Sequence, residues 1–261
     1  MSIIKSFFSA FLMYSRIPMP NVEWKEENRR YALCFFPLIG AVIGALLLLW
    51  YQLCLLLGFG ELLFAAGGTA IPIAVTGGIH LDGFCDVCDA KASCGSRWRM
   101  FEIMSDSHIG AFAAIKLAVY LLVQMGMFTE VYETKSTVLM LVCALTFVLS
   151  RALSGLAAVT FKSAKSRGTL QQFAKPAHRS ITIAAEALFI AAACAAMLCI
   201  HLPGGIGAIV GAAAVFVYYR VFSYRMFGGI TGDLAGYFLQ LCELGSVGGA
   251  VMACAVGRLF V

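Results

Sequence analysis

Long apolar runs alternate with short polar stretches along this chain, and the runs have the length of membrane helices. Crossing a hydrocarbon core of about 30 Å takes roughly 20 helical residues. The pattern predicts seven spans, at about 31–56, 60–79, 109–129, 136–160, 181–201, 204–222 and 235–257. Such runs are too long for the strands of a closed barrel, so helices are what satisfies the backbone inside lipid. Before the first span, Ile3, Ile4, Phe7, Phe8 and Phe11 recur at helical spacing and end at a turn marked by Pro18 and Pro20. This predicts a short N-terminal helix, lying either in the interface or partly buried in the bundle. Its apolar core is short and no small-residue cleavage site follows, so it does not read as a signal peptide. The expected fold is all-α: a polytopic bundle of about seven transmembrane helices plus the interfacial helix. A single membrane-embedded domain, 1–261, is expected to carry the chemistry, since no soluble unit of useful size remains between the spans.

Composition supports lipid as the solvent. Of 261 residues, 61% are hydrophobic and 13% charged, and the mean hydropathy is +0.88. A soluble domain of this size carries about a quarter charged residues. Twenty-six glycines suit close helix–helix approach, where lipid leaves no hydrophobic drive between helices. The nineteen lysines and arginines set the orientation. With the N-terminus inside, fifteen fall in cytoplasmic segments, Lys135 and Arg258 lie outside, and Lys116 and Arg151 fall within spans. Segments 80–108, 161–180 and 223–234 are thereby placed on the cytoplasmic face.

The densest chemistry follows the second span. "GGIHLDGFCDVCDAKASC" (77–94) sets Asp82, Asp86 and Asp89 at i, i+4 and i+7, which a helix brings within about 60° of one another. Like charges at that spacing repel. They are tolerated on a wetted face or around a hard cation, and Mg²⁺ commonly bridges carboxylates to substrate phosphates. Asp106, in "MSDSHIGAFA", opens the next span and is a fourth candidate oxygen ligand. Cys85 and Cys88, with His80 and Cys94 nearby, also have zinc-ligand spacing, but a zinc site would leave the three aspartates unexplained. The ten cysteines read mainly as small apolar residues of spans or of a reducing face.

Four charges lie inside the predicted spans near the same face: Lys116, Arg151, Glu186 and Glu243, roughly 8–14 Å deep at helical rise. Charges at membrane depth line a polar cavity or pair with one another, and a shallow lysine can instead snorkel to the interface. Arg151 has two available partners, Glu243 and a substrate phosphate, and phosphate is the expected one. "FGGITGDLAG" echoes the first motif, with Gly228-Gly229-Ile230 preceding Asp233 as Gly77-Gly78-Ile79 precedes Asp82. Asp233 therefore joins the cytoplasmic acids.

"GGIHLDGFCDVCDA" followed by "MSDSHIGAFA" strongly resembles the cobalamin synthase family, adenosylcobinamide-GDP ribazoletransferase. The resemblance extends to "FLMYSRIPMP", "FFPLIGAVIG", "SRAL" at 150–153 and "GDLAGYFLQLCEL", nearly the whole chain. The family core H-L-D-G-x-x-D-x-x-D is complete as His80, Asp82, Gly83, Asp86 and Asp89, while Cys85 and Cys88 stand where the family more often has small non-thiol residues. The resemblance implies a Mg²⁺-dependent transfer in a bacterial cytoplasmic membrane, with the active site facing inward. A hydroxyl of ribazole, or of its 5′-phosphate, would attack the cobinamide-bound phosphorus of adenosylcobinamide-GDP and release GMP. Asp82, Asp86, Asp89 and Asp106 are the expected metal ligands, and an aspartate such as Asp82 or Asp86, or else His80, the proton acceptor. Lys116, Arg151, Arg167, Asp233 and Glu243 are the expected substrate contacts. Lipid surrounds the protein, no nucleic-acid partner is expected, and contact with other enzymes of cobalamin assembly is left open. Two rival readings are a CDP-alcohol phosphotransferase, which lacks its A-R pair and longer acid spacing here, and a cation-coupled transporter, whose acids would lie at the bilayer midplane.

Overall fold

The computed structural model describes residues 2–165 and 168–260. Twelve helices account for most of them: α1 (Ser2–Tyr14), α2 (Glu26–Arg29), α3 (Phe36–Leu57), α4 (Glu61–Thr76), α5 (Ile79–Ala92), α6 (Arg97–Ile103), α7 (Ala111–Glu133), α8 (Thr137–Thr160), α9 (Thr169–Ala174), α10 (Arg179–Ile200), α11 (Leu202–Phe227) and α12 (Gly232–Gly257). Six are long and apolar enough to cross a membrane, and α4 with the sharply bent α5 counts as a seventh only if the pair is one span. The seven expected spans are thus all present as helices. Large side chains such as Leu49, Leu56, Leu122, Leu188, Val210 and Met252 point outward, as a lipid-facing surface requires. The protein is a multi-pass, all-helical membrane bundle.

The connections are strongly asymmetric. On one face the turns are minimal: residues 58–60 join α3 to α4, residues 134–136 join α7 to α8, and His201 alone separates α10 from α11. All five short helices lie at the other ends of the long ones. The N-terminal helix combines both sequence expectations: Ile3 and Ile4 are exposed, whereas Phe11 is buried and Tyr14 packs on Phe36 and Phe173.

The bundle centre is α12, which packs against α5, α7, α8 and α11. Small residues set the separations. A Cβ at Gly44 of α3 would stand 2.7 Å from the Ala144 carbonyl oxygen of α8, and α11 meets α12 in the same way through Gly207, Gly211, Gly245 and Gly249. Such backbone approach is how helices associate where lipid is as apolar as leucine.

The departure from seven simple crossings occurs at α4. Its sixteen residues rise only about 24 Å, short of a full hydrocarbon core. The chain then turns through 97° into α5. Gly77 and Gly78, with φ of 65° and 79°, make that corner, in backbone that a side chain would strain. α5 therefore runs along the loop-rich face instead of continuing the crossing.

Candidate active site

Two glycine corners build this site. Gly228 (φ 79°) and Gly229 (φ 154°) turn α11 into α12 as Gly77 and Gly78 turn α4 into α5. Each corner delivers an aspartate to the first turn of the following helix, Asp82 on α5 and Asp233 on α12. Helix N-termini favour such carboxylates. The echo seen in the sequence thus marks two glycine corners, each opening with a left-handed glycine, Gly77 and Gly228.

α5 and α12 then cross at backbone contact. A Cβ on Gly83 would lie 2.8 Å from Asp233 Cα, and one on Gly236 would lie 2.7 Å from the His80 carbonyl oxygen. The crossing brings Asp82 and Asp86 of α5 beside Asp233. Burial pushes the Asp86 carboxyl up to about 7, and repulsion from Asp82, Asp233 and Asp89 adds to it. Asp82 is exposed and Asp86 half-buried. Among the described residues the cluster is short of positive charge, with Lys165 the cation whose attraction reaches Asp86.

The other two expected metal ligands are engaged elsewhere. Asp89 caps the neighbouring helix: the Gly110 N–H donates to its Oδ2 at 2.6 Å and the Ala113 N–H to its Oδ1 at 2.8 Å. It fixes the start of α7, with both oxygens occupied. Asp106 lies in an exposed loop, where Oδ1 accepts from the His108 N–H at 3.0 Å and meets its Nδ1 at 2.7 Å. Its electrostatic partners are His108 and Arg99, and the acids that act on Asp86 are Asp82, Asp233 and Asp89. The presence of Asp233 is a tertiary effect, because the α5–α12 crossing brings it beside the stripe from 151 positions beyond Asp82.

Arg151 requires a firmer correction. Its Nη1 stands 2.7 Å from Glu243 Oε1, and both side chains are almost wholly buried, 1% and 2% exposed. Nη1 also donates to the Phe147 carbonyl oxygen at 3.1 Å. The expected phosphate partner is replaced by Glu243, because α8 and α12 pack directly and seal the pair between them. Lys116 is exposed on α7, with its charge felt by Cys88. Glu186 is fully buried on α10, and neither carboxylate oxygen has a hydrogen-bond partner among the described residues. Arg167 falls outside the described residues.

His80 is 5% exposed, stacked at 20° on Tyr14 and tilted on Phe36. Burial drives its pKa down to about 3, so the ring is neutral. Neither ring nitrogen has a partner among the described residues. For zinc the geometry is lacking: burial pushes the Cys85 and Cys88 thiols up to about 11, and among the described residues no three His, Cys, Asp or Glu side chains are placed to hold an ion.

Two cations lie beside the aspartates: Arg16, to which the sequence reading gave no role, and Lys165, which it placed only in a basic loop able to cover the GDP end. Arg16 lies across the glycine corner, where a Cβ on Gly77 would stand 2.6 Å from its Cγ. It lines an open cavity of about 510 Å³ with Gly77, Gly78 and Asp82. Lys165 sits with Asp233 and Thr231 around a smaller cavity of about 190 Å³. Its segment is pinned there by hydrogen bonds between Ile230 N–H and the Lys162 carbonyl oxygen (2.8 Å) and between Ala164 N–H and the Ile230 carbonyl oxygen (2.9 Å). A third, more enclosed cavity of about 290 Å³ contains His80, Asp82 and Asp233. The "FLMYSR" stretch was the available signal for Arg16.

Among the described residues no three Asp, Glu, His or Cys side chains form a ready-made ion cage. Asp82, Asp86 and Asp233 nevertheless fit Mg²⁺ as it binds with a phosphate substrate, through one or two carboxylates, retained waters and phosphate oxygens. Their mutual repulsion is what such a cation relieves.

A family model described as cobalamin-5-phosphate synthase matches residues 6–251. The chain belongs to that family. It is 45% identical over 244 residues to the adenosylcobinamide-GDP ribazoletransferase of Lachnoclostridium phytofermentans, covering 94% of this chain and 92% of that protein. It is 32% identical to the like-named protein of Desulfitobacterium hafniense, covering 94% and 95%, and 30% identical to that of Clostridium botulinum strain Alaska E43, covering 93% and 95%. No solved structure matches the chain. Family membership sets the phosphotransferase and transporter readings aside, and the cysteines at 85 and 88 leave it intact.

Proposed function

We propose that this membrane enzyme is an adenosylcobinamide-GDP ribazoletransferase, joining adenosylcobinamide-GDP to ribazole or its 5′-phosphate with release of GMP. The observation that carries the reading is the meeting of Asp82, Asp86 and Asp233 at the α5–α12 crossing, in a chain of this family. The ribazole hydroxyl oxygen bonds to the cobinamide-linked phosphorus, the bond from that phosphorus to the GMP oxygen breaks, and GMP leaves with the electron pair. An aspartate of the cluster takes the hydroxyl proton. It is a better acceptor than His80, whose burial leaves its ring weakly basic.

Phosphoryl transfer asks a protein chiefly to position groups and absorb charge. Arg16 and Lys165 flank the aspartates and are the cations free to hold diphosphate oxygens, the role first expected of Arg151. Asp82, Asp86 and Asp233 would hold Mg²⁺, which when bound neutralises the diphosphate and reverses the sign of an otherwise repulsive cluster. The site lies on the face that collects fifteen of the nineteen cations, which supports an inward-facing site in a bacterial cytoplasmic membrane. In a cysteine-free background, a cysteine at Lys135 should label from outside intact cells and one at Ser96 should not.

The deciding assay uses purified protein in detergent with both substrates and Mg²⁺. GMP and the cobalamin product should appear in equal amounts, and only when the acceptor is present. GMP released without acceptor would make the protein a hydrolase and overturn the reading.

A further inference from the structure

The enclosed cavity next to the aspartates has a composition that phosphate chemistry does not explain. Its lining combines the apolar and aromatic Tyr14, Leu33, Phe36, Ala158 and Leu170 with the carboxylates Asp82 and Asp233. His80 lines it too, almost wholly buried, with both ring nitrogens unpartnered among the described residues. Leaving a buried polar ring unsatisfied costs free energy, so it calls for a ligand or another explanation.

We propose that this cavity binds the flat aromatic base of the acceptor nucleoside, with a His80 ring N–H donating to the base's free ring nitrogen. The assignment rests on the transferase reading above and names the part of its site that holds the acceptor. Ribazole's benzimidazole base is apolar except for one unsubstituted ring nitrogen, and a neutral imidazole has one N–H to give it. Guanine fits poorly, because its several donors and acceptors would face Leu33, Phe36 and Leu170 without partners. A corrin ring is excluded by size, since about 290 Å³ is the low end for ligand pockets. With the base against Tyr14 and Phe36, the sugar falls on the side of Asp82 and Asp233, where its hydroxyl meets the donor. The donor's diphosphate is left the open cavity containing Arg16.

Equilibrium dialysis of ribazole and of GDP against the full-length protein in detergent tests this. Ala158→Phe on α8 and Leu170→Trp on α9 each fill the cavity from a different element. Both should weaken ribazole binding at least about tenfold, the scale of one lost hydrogen bond or contact set, and leave GDP binding unchanged. His80→Phe should weaken ribazole about tenfold and erase any preference for a benzimidazole riboside over an indole riboside. On the unmodified protein, free dimethylbenzimidazole should displace ribazole and guanosine should not, a result that needs no variant to fold. Displacement by guanosine, or a variant with normal elution and melting that keeps full ribazole affinity or loses GDP instead, overturns the assignment. Protein that binds ribazole as described yet forms no GMP with both substrates refutes the transferase reading and leaves the cavity assignment standing.

Discussion

Two groups of charges sit within a few helical turns of each other and obey opposite rules. Arg151 and Glu243 are sealed between α8 and α12, paired at 2.7 Å. Asp82, Asp86 and Asp233 are like charges gathered at a wetted helix crossing, with Lys165, among the described residues, the cation acting on Asp86. In a low-dielectric interior a lone charge is costly, so these two buried charges pair with each other. Where water reaches, an incomplete group can persist, and its incompleteness is what attracts a cation and a diphosphate. Charge buried in a membrane is thus a weak sign of chemistry here, and unsatisfied charge at its edge a strong one.

Removing charge should therefore have opposite consequences in the two places. Asp82→Asn and Asp86→Asn are each expected to lower turnover by about three decades or more, the several kcal/mol that a lost metal contact removes. Their melting temperatures should hold or rise, since repulsion is relieved. Chelation of divalent cations should reproduce the loss, with Mg²⁺ restoring activity. For the buried pair, Arg151→Met or Glu243→Gln alone should cost about 3–5 kcal/mol of stability, read by denaturation in detergent. The double variant should recover most of it and retain ribazole and GDP binding. A stable, inactive Arg151→Met protein that no longer binds donor would return Arg151 to the site.

Smaller effects probe how the two regions are held. Gly83→Ala forces α5 from α12 at Asp233, and a displacement of about 1 Å there should cost roughly 10²-fold in kcat with the protein still folded. Arg16→Ala and Lys165→Ala should each raise KM for adenosylcobinamide-GDP about tenfold, a loss suited to one charge-assisted contact. An unchanged KM in both would remove them as diphosphate ligands. Cys85→Ala and Cys88→Ala should be nearly silent, within about 1 kcal/mol in stability and without effect on metal dependence.

Periodicity and composition carried the architecture because a bilayer imposes one length and one secondary structure on every crossing. The seven spans, the loop-rich face and the D-x₃-D-x₂-D stripe could be read directly from residue order. Their local causes, run length, charge bias and i, i+4 spacing, act within a few residues of one another. The 97° corner after Thr76 was not legible, because a glycine pair permits a turn without fixing its angle. Nor was the meeting of Asp233 with Asp86, or the choice of Glu243 as the partner of Arg151. Each depends on which helix packs against which, and positions 82 and 233, or 151 and 243, are joined only by that packing. Sequence alone determined that acids would collect on one side of a membrane bundle. Tertiary structure decided which of them stand together and which are held by a partner, because electrostatic pairing depends on distance in space, and the glycine-lined crossings set that distance.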